Sequence, residues 1–395
     1  MAKLTIRDVN LKDKKVLVRV DYNVPLDKSQ GITDDTRIKE SLPTIKYLLQ
    51  NGCRVILCSH LGRPKGKVVK EFSLSPVSKR LSELLSVKVG FASDCIGDGV
   101  ARLASELKSG EILLLENLRF HPEEEKNDAT FAKQLASLAE FFVQDAFGTV
   151  HRAHASTAGV NKFLPSAAGF LLEKEIKYLS DAIENPKRPF VAILGGAKVS
   201  DKIGVIENLI NKVDCIIVGG AMAYTFLKAM GMNVGNSRVD EDKIDLAKEL
   251  LKKSTKIRFL LPIDHIIADK IDNPEKVEES SGIEIKAGFM GVDIGSMTRC
   301  IYSCIALKAK TIVLNGPMGV FEIDKFAGGT KAVVTAIAES TAKGAVSIIG
   351  GGDSVSAVKK AGVADKMSHI STGGGASLEF LEGKELPGIA ALKDK

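Results

Sequence analysis

The sequence predicts an α/β protein built from two doubly wound, parallel-sheet domains joined by a hinge helix. Short runs of apolar and β-branched residues recur along the chain, and each run is apolar almost throughout instead of alternating with polar residues. This pattern is typical of parallel strands that are buried on both faces. The runs alternate with helical patterns in two successive series, and 395 residues are enough for two hydrophobic cores.

The first series of strands and helices occupies the first half of the chain. The predicted strands are KVLVRV (15–20), RVILCSH (54–60), EILLLEN (111–117) and FFVQDAF (141–147). Between the first two strands, residues 36–51 have helical spacing, with an apolar stripe of Ile38, Leu42, Ile45, Leu48 and Leu49. A strand followed by such a helix and another strand indicates a parallel βαβ unit.

The second series follows a connecting segment. Its predicted strands are FVAILGG (190–196), CIIVGG (215–220), KIRFLLP (256–262), TIVLNG (311–316) and AVSIIGGG (345–352). In the connecting segment, apolar residues recur at helical spacing from Leu171 to Glu184, and Pro186 and Pro189 end the pattern. We therefore predict an N-terminal domain at 1–170, a connecting helix and hinge at 171–186, and a C-terminal domain at 187–384.

The composition argues against several classes of function. A net charge of +6 with lysines spread along the chain, 5% aromatic residues and no tryptophan do not indicate nucleic-acid binding. No apolar run is long enough to span a membrane, and the N-terminus lacks the apolar region of a secretory signal, so we expect a cytoplasmic protein.

Three further features have simple structural interpretations. The six cysteines are expected to be buried, unpaired thiols; Cys300 and Cys304 share a predicted helix face, but no histidine pair completes a zinc site. The charge run HPEEEKNDAT (121–130) is predicted to be a solvated loop. The segment MGVDIG (290–295) is predicted to be a turn.

Charged side chains follow the strands of the first half, at the edge where open parallel sheets bind ligands. Arg37 opens the first helix, and the residues after the strands include Asp21, Asn23, His60, Arg63, Arg119, His151 and Arg152. Guanidinium groups bind carboxylate and phosphate through two parallel hydrogen bonds. The N-terminal domain is therefore predicted to bind a small ligand that carries several negative charges.

Glycines follow the strands of the second half. They occur at 195–196, 219–220, 316 and 350–352, and a further triplet at 373–375 precedes a helical pattern. Glycine lets a phosphate or a flat base approach the backbone, and the N–H groups of a helix start attract negative charge. With Lys198, Lys202 and Asp353 beside them, these turns predict a nucleotide site, with Asp353 as a ligand for Mg²⁺.

Competing classes lack their expected motifs. There is no G-x-G-x-x-G of a dinucleotide-dependent dehydrogenase, no Walker A motif and no G-x-S-x-G elbow. A catalytically inactive nucleotide or anion sensor on the same scaffold is expected to lack Arg37, Lys198 or Asp353, and all three are present.

Nine motifs occur along the chain: RVDYNVP, SHLGRP, ENLRF, DAFGTVHRAHAST, LGGAKVSDKI, VGGAMA, NGPMGVFE, GGGDS and STGGGASLEFLEG. In these motifs and in their order, the chain resembles the phosphoglycerate kinase family over essentially its whole length. The resemblance implies a two-lobed monomer in which the N-terminal lobe binds 3-phosphoglycerate and the C-terminal lobe binds a magnesium nucleotide. It also implies that residues 385–395 return to the N-terminal domain.

The resemblance assigns roles to individual residues. It places Asp21, Asn23, Arg37, His60, Arg63, Arg119 and Arg152 on 3-phosphoglycerate or 1,3-bisphosphoglycerate, with His151 at the border of this group. It places Gly195, Lys202, Gly219, Gly220, Gly291, Asn315, Pro317, Glu322, Gly351, Gly352, Asp353 and Ser354 on the nucleotide and its metal. The catalytic groups around the transferring phosphoryl would be Arg37, Lys198, Gly352, Gly373 and Gly374.

The reaction implied is the reversible transfer of a phosphoryl group from 1,3-bisphosphoglycerate to ADP, which gives 3-phosphoglycerate and ATP. In the reverse direction the nucleophile is a carboxylate that is already ionised at neutral pH, so no general base is required. The resemblance also implies direct in-line transfer when the two domains close around a hinge, with water excluded from the acyl phosphate.

Overall fold

The computed structural model describes residues 3–395, so residues 1 and 2 of the predicted first domain lie outside the described residues. The chain forms two units. Unit 1 comprises the residues up to Lys177 together with Glu385–Lys395, and unit 2 comprises Tyr178–Lys384. The boundary between the units falls within a helix, Phe170–Glu184.

The strands are short, and most of them lie in two parallel sheets. In chain order they are β1 Lys15–Arg19, β2 Arg54–Cys58, β3 Val89–Phe91, β4 Ile112–Leu114, β5 Phe141–Gln144, β6 Ser166–Ala168, β7 Phe190–Leu194, β8 Cys215–Val218, β9 Arg258–Leu260, β10 His265–Ala268, β11 Val277–Glu279, β12 Met290–Ile294, β13 Thr311–Asn315, β14 Val346–Gly350 and β15 His369–Ile370.

Most of the helices lie between successive strands, and the last two follow the final strand. In chain order they are α1 Thr36–Gln50, α2 Ser75–Leu85, α3 Asp98–Glu106, α4 Pro122–Glu125, α5 Ala129–Ala136, α6 Phe170–Glu184, α7 Ile203–Leu209, α8 Met222–Ala229, α9 Ile244–Lys253, α10 Ser296–Lys308, α11 Gly328–Ala342, α12 Gly352–Lys360, α13 Gly374–Leu381 and α14 Pro387–Ala390. Within residues 3–395, none of the helices combines the length and apolar character needed to cross a bilayer.

Unit 1 contains a parallel sheet with the strand order β3-β4-β2-β1-β5-β6. The chain moves from β1 to one side of the sheet and later crosses to β5 on the other side, which makes the sheet doubly wound. The central strands are buried on both faces, because Val16 and Val18 pack in one apolar cluster while Leu17 packs in another. The loops after β1 and β5 therefore meet at the topological switch point, where ligands bind in such sheets.

The C-terminal segment Glu385–Lys395 belongs to unit 1. The backbone N–H of Leu4 donates to the carbonyl of Lys393 at 3.0 Å, and the N–H of Gly388 donates to the carbonyl of Val150 at 2.8 Å. These bonds hold the end of the chain against the first residues and against the segment that follows β5.

Unit 2 contains a second parallel sheet, with the strand order β15-β14-β13-β7-β8-β9, and a small antiparallel sheet with the order β11-β10-β12. In the parallel sheet the chain moves from β7 to one side and returns to β13 on the other. The switch point therefore lies between the loops that follow Leu194 and Asn315. The predicted class of two parallel-sheet α/β domains is confirmed.

Several local predictions were wrong or incomplete. Residues 290–294 are strand β12 and not a turn, because they pair with β10. The charge run at 121–130 includes helix α4, and its Glu124 is fully buried. Cys53, Cys58, Cys95 and Cys215 are buried as predicted, but Cys300 and Cys304 are exposed on α10.

Candidate functional site

The loop after β1 in unit 1 brings three predicted residues together. The guanidinium of Arg37, at the start of α1, lies 3.1 Å from the carboxylate of Asp21, and its Nη1 donates to the carbonyl oxygen of Asn23 at 3.0 Å. The side-chain Oδ1 of Asn23 accepts a hydrogen bond from the N–H of Gly62 at 2.9 Å, which joins this loop to the loop after β2. Arg37 remains about one-third exposed, so part of its guanidinium faces solvent.

His60, at the end of the next strand, is buried between acidic and basic groups. Its Nδ1 lies 3.9 Å from Asp21 Oδ1 and 3.1 Å from Nη2 of Arg19. Burial, followed by the positive charges of Arg19, Arg119, Arg37 and Arg152, lowers the pKa of His60 well below its ordinary range. His60 is therefore neutral at physiological pH and can hydrogen-bond an anionic ligand without adding charge.

Arg119 and Arg152 complete the basic group. Arg119 is almost fully buried, donates from Nη1 to the carbonyl oxygen of Gly62 at 2.8 Å, and has its Nε 3.2 Å from Glu125. Burial lowers the pKa of Arg119 to about 10, and the charges of Arg152 and Arg19 contribute to this shift. Burial, followed by the positive charges of Arg119, Arg19 and Arg152, lowers the pKa of His154 to about 3. Arg152 donates from Nε to Nε2 of His151 at 3.1 Å.

Arg63 differs from the other predicted arginines. It follows Gly62 in the loop after β2 and is exposed. Within residues 3–395 the structure gives it no hydrogen bond or ion pair. Asp21, Asn23, Arg37, His60, Arg119 and Arg152 are thus brought together through direct contacts or through their electrostatic effect on shared neighbours, whereas Arg63 lies beside them without such a contact.

Sequence analysis missed the buried centre of this region. Arg19 is 1% exposed and donates from Nε to the hydroxyl of Ser156 at 2.9 Å. The Ser156 hydroxyl in turn donates to the buried carboxylate of Glu124 at 2.5 Å. The available signal was an arginine between two valines of an apolar run, Val18 and Val20, since a charge at such a position needs a partner.

In unit 2, the turns after β7 and β13 pack against each other through their backbones. The N–H of Gly196 donates to the carbonyl of Pro317 at 3.2 Å. A Cβ atom added to Gly195 would lie 2.0 Å from the carbonyl oxygen of Pro317, and one added to Gly316 would lie 2.1 Å from the carbonyl oxygen of Gly195. These glycines are therefore required by the close approach of the two turns.

Beside these turns is a cavity of about 240 Å³. Most of its lining is backbone or apolar side chain, and its acidic residues are Glu322 and Asp353. Of the predicted nucleotide-binding residues, the cavity is lined by Gly220, Gly291, Pro317, Glu322 and Asp353. Gly195 and Gly219 support the lining from behind, since an added Cβ at Gly219 would lie 2.4 Å from the sulfur of Met318, which is also part of the wall.

Polar groups gather at the end of β13. The ammonium of Lys202 donates to Oδ1 of Asn315, and the hydroxyl of Ser354 accepts from the N–H of Gly316 at 2.6 Å. Burial lowers the pKa of Lys202. The amide Nδ2 of Asn315 is buried and has no hydrogen-bond partner within the described residues, although it lies close to Gly351. A buried donor in this condition can bind a ligand oxygen.

Two helices begin at the same place in unit 2. Helix α12 starts at Gly352 and α13 at Gly374, and a Cβ added to Gly374 would lie 3.6 Å from the backbone nitrogen of Gly352. Gly373 is the residue before α13. Three predicted catalytic glycines therefore present neighbouring helix N-termini, which favour a bound phosphate.

The two remaining predicted groups are exposed. Asp353 lies in the first turn of α12 and lines the cavity. Because Mg²⁺ takes one or two carboxylates together with phosphate oxygens, a carboxylate at a helix start fits such an ion. Lys198 lies on the loop after β7. Its charge contributes to lowering the pKa of Asp242, for which a hydrogen bond from Lys243 is the main cause. Within residues 3–395, no hydrogen bond or ion pair joins Lys198 to the helix starts.

The sequence matches a known family and its curated members. The family model described as phosphoglycerate kinase matches residues 6–384. The phosphoglycerate kinase of Chlorobaculum tepidum is 59% identical over 399 residues, and that of Koribacter versatilis is 58% identical over 407 residues. Both alignments cover 100% of this chain and 100% of the relative.

Solved structures give the same result. The structure of phosphoglycerate kinase from Coxiella burnetii is 43% identical in sequence with a TM-score of 0.90. The crystal structure of phosphoglycerate kinase from Pyrococcus horikoshii is 36% identical with a TM-score of 0.86. Each comparison covers 98% of both chains. The chain belongs to the phosphoglycerate kinase family, and it is a kinase that transfers phosphate between 1,3-bisphosphoglycerate and ADP.

Proposed function

We propose that unit 1 holds the phosphoglycerate substrate at the loops after β1, β2, β4 and β5. The observation that carries this proposal is the convergence of Arg19, Arg37, Arg119 and Arg152 on the buried His60. In the proposal, the exposed part of Arg37, the guanidinium of Arg152 and the exposed Arg63 bind the ligand's anionic groups. Asp21 and Asn23 hold Arg37 in place, and Asp21 also offsets part of the positive charge.

Unit 2 holds the nucleotide in this proposal. The base and ribose occupy the cavity between the turns of Gly196, Gly220 and Pro317, with Glu322 at the ribose hydroxyl groups. The phosphates extend toward Lys202, the unpaired amide of Asn315 and the start of α12. In this arrangement each part of the nucleotide meets groups of suitable chemistry, because backbone N–H groups and one ammonium face the phosphates, while a mainly apolar wall faces the base.

The proposed chemistry needs positioning and charge stabilisation. When ATP forms, an oxygen of the β-phosphate of ADP attacks the acyl phosphate, the bond from phosphorus to the carboxyl oxygen breaks, and the carboxylate leaves with the electron pair. No proton has to move, because both the nucleophile and the leaving group are anions. Arg37, Lys198 and the N–H groups at Gly352, Gly373 and Gly374 stabilise the charge on the transferring oxygens.

Mg²⁺ is the ion that we propose for Asp353, and when bound it would neutralise charge on the nucleotide phosphates. Asp353 belongs to the first turn of α12, so its carboxylate lies at the start of that helix. We further propose a monomer that acts in the cytoplasm and bends at a hinge, so that ligands on separate units can meet. If so, small-angle scattering should show a more compact protein with both substrates than with either alone.

A coupled assay with 3-phosphoglycerate and Mg-ATP tests the proposed roles. We expect Arg37→Ala and Lys198→Ala each to lower kcat by roughly a hundredfold or more, because each removes a fixed cation from the transferring group. Lys198→Ala should unfold at the wild-type temperature in circular dichroism, since its side chain is exposed, and Arg37→Ala, which loses contacts with Asp21 and Asn23, should give the folded spectrum at the assay temperature.

Matched controls are Arg102→Ala in unit 1 and Lys252→Ala in unit 2, which remove exposed cations outside the proposed site. Both should retain wild-type turnover. Near wild-type kcat in purified Arg37→Ala or Lys198→Ala would refute the role of that residue. Loss of activity in the controls would show that the assay responds to general charge and not to the site.

A further inference from the structure

Three side chains with metal-binding atoms meet at the carboxyl edge of the unit 1 sheet. Asp94 and Cys95 follow strand β3, and His121 follows the turn Leu118–Phe120 after strand β4. Because β3 and β4 are hydrogen-bonded neighbours in parallel register, the segments that follow them come together. The proposed phosphoglycerate and nucleotide sites use none of these three residues.

The ligand atoms are close enough to share one ion. One carboxylate oxygen of Asp94, the sulfur of Cys95 and one ring nitrogen of His121 all lie within 4.8 Å of one another. The shortest of these separations is 2.6 Å, between Nε2 of His121 and Oδ1 of Asp94. Cys95 is fully buried and forms no disulfide, whereas His121 is about one-quarter exposed and Asp94 about half exposed. The thiol therefore forms the floor of the group, and the carboxylate forms its outer edge.

The surrounding backbone and ring contacts hold the three residues in place. The carbonyl of Asp94 accepts from the N–H of Glu116 at 3.3 Å, and the N–H of His121 donates to the carbonyl of Leu118 at 3.2 Å. The imidazole of His121 packs against the ring of Phe131, with centroids 5.4 Å apart. Binding an ion would therefore require adjustment of side chains more than of the backbone.

We propose that Asp94, Cys95 and His121 form a binding site for Zn²⁺. A thiolate, an imidazole nitrogen and a carboxylate oxygen are the donor types that zinc takes, with water as the fourth ligand. Zinc bond lengths of about 2.0–2.3 Å place tetrahedral ligand atoms roughly 3.3–3.7 Å apart. The Asp94–His121 pair opens by rotation of the exposed carboxylate, and the thiol of Cys95 releases its proton to solvent when the metal binds.

The donor set separates this site from the magnesium nucleotide site. Mg²⁺ takes oxygen ligands and does not select a thiol, whereas zinc and cobalt bind thiolate and imidazole. Without a metal, the same geometry is a histidine–aspartate hydrogen bond above a buried thiol. A metal titration that detects a sulfur bond distinguishes these two interpretations.

The test uses Co²⁺ as a coloured substitute for zinc. The full-length chain carries Cys300→Ser and Cys304→Ser, because these exposed thiols would otherwise compete for the metal. We expect one equivalent of Co²⁺ to produce a thiolate-to-cobalt charge-transfer band and the intense visible bands of tetrahedral cobalt, and Zn²⁺ to remove both. Cobalt bound only to oxygen ligands at the nucleotide site lacks the thiolate band.

Two variants and one control decide the outcome. Cys95→Ala should abolish the thiolate band, and His121→Gln should weaken Co²⁺ binding at least ~tenfold. Cys215→Ala, which removes a buried thiol in unit 2, should retain both features. If Cys95→Ala fails to fold, the surface variant His121→Gln decides alone. The proposal is overturned if excess Co²⁺ gives no thiolate band, if folded Cys95→Ala retains it, or if His121→Gln binds Co²⁺ as tightly as its parent.

Discussion

The two candidate ligand regions are built from opposite materials. In unit 1 the proposed ligand-facing atoms are the ends of long charged side chains, and the same region contains buried charged groups such as Arg19 and Glu124. In unit 2 the cavity wall is mostly backbone and small apolar groups, and a Cβ added to its glycines Gly220, Gly291 or Gly319 would overlap a neighbouring atom. The unit 1 region therefore depends on charged side chains at fixed positions, and the unit 2 region depends on the absence of side chains at its closely packed glycines.

This difference predicts how each region should respond to change. A region of buried charges carries desolvation costs that appear as shifted pKa values, so it should be sensitive to pH. A region of close backbone contacts should be sensitive to a single added carbon atom and largely insensitive to pH.

The largest expected effect concerns Asp145, which follows strand β5 and caps helix α6. Its Oδ1 accepts from the N–H groups of Leu171 and Leu172 at 2.9 and 3.1 Å. Burial raises the pKa of Asp145 from 3.8 to about 7. Between these values the folded protein keeps a proton that the unfolded chain has released, so this carboxyl lowers the free energy of unfolding as pH rises from about 4 to about 7.

Asp145→Asn should remove this contribution, because the amide stays neutral at every pH. We expect the free energy of unfolding of the variant, relative to that of the wild type, to increase by at most about 4 kcal/mol as pH rises from about 4 to about 7. Urea unfolding followed by circular dichroism at several pH values measures this difference. The exposed Asp98→Asn, at the start of α3, is the control and should follow the wild type. Parallel curves for Asp145→Asn and wild type would contradict the assignment.

The second prediction separates folding from function in unit 2. A Cβ added to Gly352 would meet no atom within 4 Å, in contrast to the 2.0 Å overlap at Gly195. Gly352→Ala should therefore fold normally. Its free energy of unfolding should exceed that of the wild type by up to about 1 kcal/mol, because alanine loses less conformational entropy than glycine when a helix forms. The new methyl group would occupy space proposed for the transferring phosphoryl, so kcat should fall by roughly a hundredfold.

The matched control for Gly352→Ala is Gly99→Ala. Gly99 also lies in the first turn of a helix, and a Cβ added there would meet no atom within 4 Å. Thermal unfolding should show both variants to be at least as stable as the wild type, and the coupled assay should show normal turnover for Gly99→Ala alone. Wild-type turnover in Gly352→Ala would remove this glycine from the proposed site.

The parallel sheets could be predicted because their strands are defined by their own residues. The runs at β1, β2, β7, β8, β13 and β14 are apolar enough to require burial on both faces, whatever their neighbours. Strands β6 and β11 could not be predicted in this way. Ser166–Ala168 has only small residues, and Val277–Glu279 is exposed, so both are strands only because a neighbouring strand supplies hydrogen bonds.

The site was predictable to the extent that its residues follow strands. Asp21, His60 and Arg119 could be placed at one sheet edge because parallel strands bring their ends together. The charges beneath that edge could not be placed. Arg19 and Glu124 lie far apart in sequence and are joined through Ser156, and burial of a charge is visible only when its partner is known.

The smallest expected effect tests the exposed edge of unit 1. Arg63 packs against no charged partner within residues 3–395, so its removal should leave the unfolding temperature unchanged. Arg63→Ala should raise KM for 3-phosphoglycerate roughly tenfold, which corresponds to one charge-assisted hydrogen bond of about 1.4 kcal/mol, and leave KM for the nucleotide unchanged. Steady-state kinetics with each substrate varied in turn measures both constants, with Arg102→Ala as the control for loss of an exposed arginine.

A change in nucleotide KM, or a lower unfolding temperature, would mean that Arg63 supports the structure instead of binding substrate. An effect confined to 3-phosphoglycerate would show that the charged region of unit 1 tolerates the loss of an exposed arginine while its buried groups Arg19, His60 and Glu124 stay in place.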